Sequence, residues 1–206
     1  MKNHVFFFLP LFFLFSCSEN ETPEIVNPGP VVVTCDFTPE IVAYDFFIEG
    51  FLCDKLIRYP QVNRDNINTS NKYFTGYQET WLQAFIDTTA EVGYWTIRIH
   101  DTDIENIELP YTLNLDQGRV FWYDPRVDDM IESIDLCQGL DSACAFSMTA
   151  GENENVITIT SVEDQIIEGE FSGRAIVRGT QSTPYQDTTS YYDISDGKFR
   201  IMYRTE

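Results

Sequence analysis

Histidine and basic side chains are scarce in this 206-residue chain. It contains two histidines, His4 and His100, and 13 lysines and arginines against 33 aspartates and glutamates, so the formal net charge is −20. Such a charge repels phosphate backbones, which excludes nucleic-acid binding as a main role. The chain also lacks G-x-S-x-G, H-E-x-x-H and phosphate-binding glycine motifs. Hydrolases with a histidine-activated nucleophile therefore lack their usual residues, and we identify no catalytic residue.

Long apolar runs are absent as well. The most extensive one, residues 5–15, would form a helix of about 16 Å, whereas the hydrocarbon core of a bilayer measures about 30 Å. A short apolar run that follows the single basic residue Lys2 is typical of a cleaved export leader. We therefore expect residues 1–16 to be a signal peptide.

The leader is followed by a cysteine in a characteristic setting. The sequence Leu14, Phe15, Ser16, Cys17 resembles the lipobox of bacterial lipoproteins, in which the leader is cut before a cysteine that carries diacylglycerol. The resemblance implies a lipoprotein signal peptide at 1–16, lipid attachment at Cys17, and an anchor in a membrane. The alternative is an ordinary secretory leader with a coincidental cysteine.

The next segment, residues 17–34, contains the lipidated cysteine and is rich in acid and proline, which predicts a disordered tether. Ser18, Glu19 and Glu21 resemble the acidic export signal of surface lipoproteins in Bacteroidota-type bacteria. The resemblance implies an outer-membrane protein displayed at the cell surface. Residues 35–206 contain no second linker and are expected to form a single β-rich domain.

Four cysteines remain beyond Cys17, namely Cys35, Cys53, Cys137 and Cys144. An even number in an exported chain indicates two disulfides, and three pairings are open. Proximity favours joining the first two and the last two, and each such loop would contribute about 2.5–3 kcal/mol. No C-x-x-C pair is present, so no thiolate metal site is predicted.

Apolar and polar residues alternate with a period of two, which predicts strands. The predicted strands are 41–49, 73–77, 80–87, 93–100, 111–115, 119–124, 156–162, 166–179, 191–194 and 198–204. The link 163–165 predicts a hairpin, and Ser195, Asp196 and Gly197 predict another turn. One short helix is predicted from the cap Asp124 to near Cys137. The fold class is therefore all-β, an antiparallel sandwich or barrel of jelly-roll type with at most one short helix.

Two C-terminal segments, ITITSVEDQIIEGEF and ISDGKFRIMY, suggest a family. They resemble the strand and turn pattern of small Bacteroidota-type outer-membrane lipoproteins of uncharacterised function. The resemblance covers residues 90–206. It implies a β-rich lipoprotein fold and brings no catalytic residue with it.

Adjacent aromatic residues at Phe121, Trp122 and Tyr123 are the candidate ligand platform. Neighbours in a strand point to opposite faces, so one side of this segment must be covered by a ligand or by the protein itself. Sugar rings stack on aromatic faces, which favours a glycan as the ligand. The alternative is that all three rings serve the core.

Acidic loops offer a second candidate site. Two clusters have the composition of calcium ligands: Asp101, Asp103 and Glu105, and Asp124, Asp128 and Asp129. Calcium binds six to eight oxygens from such loops. Calcium therefore stays open as a cofactor beside the simpler reading of solvated acids, and no other metal or cofactor is predicted.

Basic residues are expected together on the wet faces of the last long strands: Arg174, Arg178, Lys198, Arg200 and Arg204. A basic stripe on an acidic body could receive an acidic partner or a polyanionic glycan. Glu168 and Glu170 share the face of the first of these strands, and we expect them to neutralise the stripe across strands.

These patterns predict a lipid-anchored envelope protein that serves as a non-catalytic binding or accessory module for a glycan or an envelope-protein partner. One alternative is a glycan hydrolase that uses a carboxylate pair. Another is a purely structural envelope component.

Overall fold

A computed structural model describes residues 31–32, 43–52, 54–62, 71–86, 93–123, 145–152, 154–178 and 190–206. Within these ranges the chain forms thirteen strands and no helix. The strands are β1 (Val31–Val32), β2 (Phe47–Leu52), β3 (Lys55–Pro60), β4 (Lys72–Phe74), β5 (Glu79–Phe85), β6 (Tyr94–Ile99), β7 (Tyr111–Thr112), β8 (Gly118–Tyr123), β9 (Ala145–Thr149), β10 (Val156–Glu163), β11 (Ile166–Arg178), β12 (Ser190–Met202) and β13 (Arg204–Thr205). The predicted all-β class is confirmed.

Several predicted features lie outside the described residues. They include the helix expected between Asp124 and Cys137 and the acidic cluster at Asp124, Asp128 and Asp129. They also include all five cysteines: Cys17, Cys35, Cys53, Cys137 and Cys144. Lipid attachment, both disulfides and this acidic cluster therefore stay predictions.

All thirteen strands belong to one strongly curled, mixed sheet that forms a half-barrel. Its main path runs β13-β4-β5-β6-β8-β9-β11-β12-β2-β3, with β1 beside β12 and β10 between β11 and β7. Only Tyr203 separates β12 from β13, yet β12 lies inside the sheet and β13 pairs with β4 at its edge. The C-terminal strands therefore draw two distant parts of the sheet together.

The strands begin and end at two opposite ends of the sheet. At the end that we call the upper end, β4 turns into β5 through 75–78, and β6 connects to β8 through 100–117. At the lower end, β5, β8 and β11 end while β6, β9 and β12 begin. β1 joins the lower end, because it pairs with Ser190 and Tyr191 at the start of β12.

β10 and β11 form the predicted hairpin. Their two-residue turn consists of Asp164 and Gln165, which have φ values of 51° and 62°. Positive φ at both central residues is the requirement of a type I′ turn, whose twist matches that of the flanking strands. The hairpin inferred from the link at 163–165 is therefore confirmed.

The second predicted turn, at Ser195, Asp196 and Gly197, is wrong. β12 continues through these residues, and its pairing with β2 shifts register between Ser195 and Lys198. Asp196 has a φ of 49°, as a turn residue would, but here it forms a β-bulge inside a thirteen-residue strand. Some bulges and the type I′ turn both place a residue in the left-handed region, so the same Asp-Gly pair is compatible with either.

The interior of the sheet is aromatic. Trp95 and Trp122 are cross-strand partners in β6 and β8, and they are 0% and 1% exposed. The edge of Tyr192 meets Trp122 at 5.2 Å between centroids, and Phe171 lies 5.5 Å from Trp95. Offset and edge-to-face contacts of this kind stabilise cores beyond the area that they bury.

Candidate functional site

The structure corrects the predicted aromatic platform. Trp122 is 1% exposed and packs inside the sheet, so its ring offers no face to a sugar. Phe121 and Tyr123 point to the opposite, outer face and are partly buried there. The alternation of a strand separates the three adjacent rings, and the apolar interior takes the largest one.

The first acidic cluster does not converge on a common point. Asp103 accepts hydrogen bonds from the Tyr73 hydroxyl at 2.9 Å and from Asn106 at 2.8 Å, while Glu105 accepts one from Thr205 at 2.9 Å. Within the described ranges no group of three histidine, cysteine or acidic residues is arranged to hold a metal ion. Asp103 and Glu105 are therefore engaged by protein donors, and the structure does not assemble the calcium site expected with Asp101.

The bond between Tyr73 and Asp103 leads to a pH-dependent prediction. Hydrogen bonds from Asn106 and Tyr73 hold the pKa of Asp103 below its ordinary value. Burial, together with the hydrogen bond to Asp103, raises the pKa of Tyr73 to about 12. A depressed carboxyl pKa stabilises the fold above the unfolded pKa and loses this effect as pH falls through the folded value. Tyr73→Phe should raise the pKa of Asp103 in an NMR titration and make the protein less stable at pH 7, with a smaller deficit at pH 3.

Tyr111→Phe is a control for this experiment, because the Tyr111 hydroxyl contacts an amide of Gln117 and no carboxylate. It should leave the pKa of Asp103 unchanged. An unchanged Asp103 pKa in Tyr73→Phe would contradict the assigned role of the hydrogen bond.

The basic stripe is neutralised across strands, as expected. Arg200 forms an ion pair with Glu168, its partner across β11 and β12, and Lys198 lies opposite Glu170. Arg174 contacts Asp193 at 3.4 Å. Arg204 instead lies in β13 at the edge of the sheet, and the side chain of Arg178 is outside the described part.

A polar cleft opens at the upper end of the sheet, with a volume of about 400 Å³. We call it the arginine cleft, and its lining side chains come from three stretches of sequence: Tyr77 and Glu79; Arg98, His100 and Asp101; Asp116 and Arg119. The antiparallel pairing of β5, β6 and β8 brings these stretches together.

Tight turns shape the rim of the arginine cleft. Gln78, Asp101 and Asp116 have φ values of 50°, 48° and 69°. Aspartate tolerates this left-handed region better than most residues, because its short polar side chain can bond locally. The amide of Thr102 donates to the carbonyl of Gln78 at 3.1 Å and joins two of these turns. The cleft thus lies among turns that are tied to one another by the backbone.

Two arginines lie side by side in the cleft. Arg98 in β6 is the direct cross-strand partner of Arg119 in β8. The Arg98 guanidinium lies 4.5 Å from the centroid of Trp81 and 5.4 Å from that of Phe121. Its Nε is buried and has no hydrogen-bond partner within the described residues. The aromatic rings therefore hold Arg98 in place without occupying its in-plane donors.

Glu79 organises the other side of the cleft. Its Oε1 accepts a hydrogen bond from the indole Nε1 of Trp81 at 2.5 Å and lies 3.3 Å from Nδ1 of His100. An acceptor at Nδ1 favours the tautomer that carries its proton there, which leaves Nε2 as the acceptor nitrogen. Trp81 thus links the two sides, since it holds Glu79 through its edge and Arg98 through its face.

Sequence reasoning found only part of this site. The alternation in β6 correctly placed Arg98 and His100 on one face, away from Trp95. Tyr77 is one of several tyrosines that could stack on a sugar ring, whereas no pattern in the sequence indicates Glu79, Asp116 or Arg119. The alternation of β8 places Arg119 on the outer face, but no local pattern shows that it lies opposite Arg98.

The fold and the cleft together define a curled β-sheet protein with a polar surface site. No family model, curated protein or solved structure matches the chain. Among the residues that the structure describes, no helix has the length and apolarity required to cross a bilayer.

Proposed function

We propose that this protein is a non-catalytic glycan-binding module, anchored by lipid to the outer membrane, and that the arginine cleft holds the glycan. The cleft has the volume of a small-molecule site, about 400 Å³. Tyr77, which is 79% exposed, offers a ring to the C–H face of a sugar. The charged side chains around it can accept from and donate to sugar hydroxyls.

The observation that carries this proposal is that four charged side chains of the cleft have no hydrogen-bond or ion-pair partner among the described residues. Arg98, Asp101, Asp116 and Arg119 line one space, yet their side chains form no hydrogen bond or ion pair with the described residues. Elsewhere on the sheet, opposite charges do pair, for example Arg58 with Glu49 at 2.5 Å. Donors and acceptors that stay apart within one cleft are available to a ligand.

The proposal of a lipid anchor rests on features of the sequence. The leader at 1–16 and the lipobox that ends at Cys17 support lipid attachment, and the acidic residues after it support display at the cell surface. The disulfides among Cys35, Cys53, Cys137 and Cys144 belong to the same proposal. So does the relation to small Bacteroidota-type lipoproteins.

The path of the tether supports this role. β1 pairs at the lower end of the sheet, whereas the arginine cleft lies at the upper end. Residues 18–30 link Cys17 to β1 and can reach at most about 45 Å. A lipid at Cys17 would therefore be attached through the lower end of the sheet, opposite the end that carries the cleft.

Asp116→Asn tests the proposed site on a glycan array. Asp116 is exposed, and asparagine tolerates its φ of 69°, so the fold should be kept. Hydrogen bonds to charged groups contribute about 1.5–3 kcal/mol, so the affinity of the purified chain for its glycan should fall about tenfold or more. Asp164→Asn is the matched control, because Asp164 is an exposed aspartate with a φ of 51° in the β10–β11 turn.

Two results would overturn the proposal. One is glycan binding that survives Asp116→Asn unchanged, which would place the ligand elsewhere. The other is a chain that binds no glycan at all, which would favour an envelope-protein partner or a structural role.

A glycan hydrolase is the second candidate, because Glu79, Asp101 and Asp116 place three carboxyls around one cleft. Glycosidases need two carboxyls that flank the scissile bond. Incubation of the bound glycan with the protein distinguishes the two candidates. New reducing ends that disappear in Glu79→Gln would establish hydrolysis, and an intact glycan would support a binding module.

A further inference from the structure

The pairing of Arg98 with Arg119 indicates what the ligand carries. Residues directly opposite in an antiparallel pair have Cβ atoms about 5 Å apart, and like charges at that distance destabilise the sheet. The chain has acids in excess, 33 against 13 basic residues, so acidic partners are plentiful. An arginine pair without an acidic partner in the described residues is therefore a costly feature that a bound anion would relieve.

Three other cations of the sheet form ion pairs with acids. Lys72 contacts Glu206 at 2.5 Å, Arg58 contacts Glu49 at 2.5 Å, and Arg200 is paired with Glu168. In the arginine cleft Glu79 is instead bound to Trp81 and His100. Asp101 and Asp116 line the same cleft, but neither forms an ion pair with Arg98 or Arg119.

Two aromatic rings hold the guanidinium of Arg98 in a position where it can bind an anion. Trp81 and Phe121 contact its guanidinium at 4.5 and 5.4 Å, which limits its freedom before any ligand arrives. A guanidinium held by ring faces keeps its in-plane N–H groups for a planar acceptor. With the guanidinium of Arg119 on the adjacent strand, Arg98 can offer donors to the two oxygens of a carboxylate.

We infer that the ligand of the arginine cleft is a uronic-acid-type sugar, whose carboxylate is bound by Arg98 and Arg119 while its hydroxyls are bound by Asp101 and Asp116. This inference rests on the proposed glycan-binding function and specifies the class of sugar. The net charge of −20 opposes anions at long range. At physiological salt that field is screened beyond about 8 Å, so contacts within the cleft determine affinity.

The test compares uronic acid oligosaccharides with their methyl esters, which keep the rings and remove the charge. Oligomers of galacturonic, glucuronic and mannuronic acid are titrated against the purified full chain at physiological salt. At least one acid form should bind about ten- to a hundredfold more tightly than its ester, as expected for charge-assisted bonds. Arg119→Gln should lower the affinity for the acid form about tenfold or more and the affinity for the ester by a smaller factor, so that the preference for the acid form shrinks.

Two further variants distinguish the effect of charge in the cleft from the effect of losing any surface arginine and from the effect of the planar guanidinium. Arg204→Gln removes an exposed arginine in β13, away from the cleft, and should change neither affinity. Arg119→Lys keeps the charge without the planar fork and should retain part of the preference for acid. Urea denaturation of each variant confirms that the fold persists.

The outcomes distinguish the two proposals. Equal affinity for acid and ester, or an unchanged acid preference in Arg119→Gln, overturns the uronate inference and leaves glycan binding in place. Binding of neutral glycans alone also overturns the uronate inference and leaves glycan binding in place. An absence of binding to every sugar, charged or neutral, overturns both.

Discussion

Replacing Trp122 with alanine is expected to lower the free energy of unfolding by about 3–5 kcal/mol, the usual cost of removing a large buried aromatic side chain. Trp122 is 1% exposed in the central strand β8. Its ring lies 6.1 Å from Trp95 and 5.2 Å from Tyr192, so truncation leaves a cavity between strands. Domains are typically stable by about 5–15 kcal/mol, so the variant should be close to unfolding. Urea denaturation, followed by tryptophan fluorescence and circular dichroism, measures the effect.

Trp81→Ala is the matched control for Trp122→Ala, because it removes the same side chain from the outer face, where Trp81 is partly exposed. It should cost less stability but weaken ligand binding, since Trp81 holds both Glu79 and Arg98. The two tryptophans should thus separate stability from binding. A denaturation midpoint of Trp122→Ala equal to that of the parent chain would contradict the placement of this ring in the core.

Gly169→Ala is expected to destabilise the protein by about 3 kcal/mol, the upper part of the range for overpacked cores. Gly169 is buried in β11 directly opposite Phe199 of β12. A Cβ at this position would meet the ring of Phe199 and the backbone carbonyl oxygen of Thr158. The ring could move, but the carbonyl is held in the ladder between β10 and β11, so relief would require a shift of the strands.

Gly76→Ala is a suitable control, because a Cβ at Gly76 would have no neighbouring atom within 4 Å. Its effect should stay within about 0.5 kcal/mol, as for most surface substitutions. Both variants are compared by urea denaturation at one pH. Equal stability of Gly169→Ala and Gly76→Ala would show that Phe199 does not cover Gly169.

Side-chain alternation in β11 predicts which of its residues are buried, but not what fills the space beside its glycine. The pattern placed Ile167, Phe171 and Ala175 on one face, and all three are buried. It also places Gly169 on that face, where a glycine has no side chain to fill the interior. Phe199 covers this position from the neighbouring strand. The core is therefore continuous, although β11 alone would leave a hole in it.

Three strands were not predicted from the sequence, namely β1 (Val31–Val32), β3 (Lys55–Pro60) and β9 (Ala145–Thr149). β1 lies within residues 17–34, which the sequence predicts to be a disordered tether, and it forms by pairing with β12. β3 ends in a proline, which usually argues against a central strand, and it lies at the end of the sheet path, where proline is tolerated. β9 is a five-residue segment in which Phe146 and Met148 alternate with Ser147 and Thr149, a pattern too short to identify a strand by itself. Pairing with β8 and β11 makes it a strand, so its structure depends on its neighbours.

The candidate site depends on tertiary structure to a greater degree than the fold does. Its residues fall in three segments around Tyr77, Arg98 and Asp116, and none of them carries a recognisable motif. The aromatic triplet at 121–123 is conspicuous in the sequence and is therefore the predicted ligand platform. Conspicuous apolar residues are more often buried, as Trp122 is.

The sequence by itself determined the all-β class, the faces of β6 and β11 and the turn between β10 and β11. These features follow from side-chain periodicity and local φ preferences, which act between near neighbours. The tertiary structure alone decided that Asp196 and Gly197 form a bulge and that Arg98 lies opposite Arg119. Strand register and sheet curl depend on the packing of distant segments, and no short stretch of sequence contains that information.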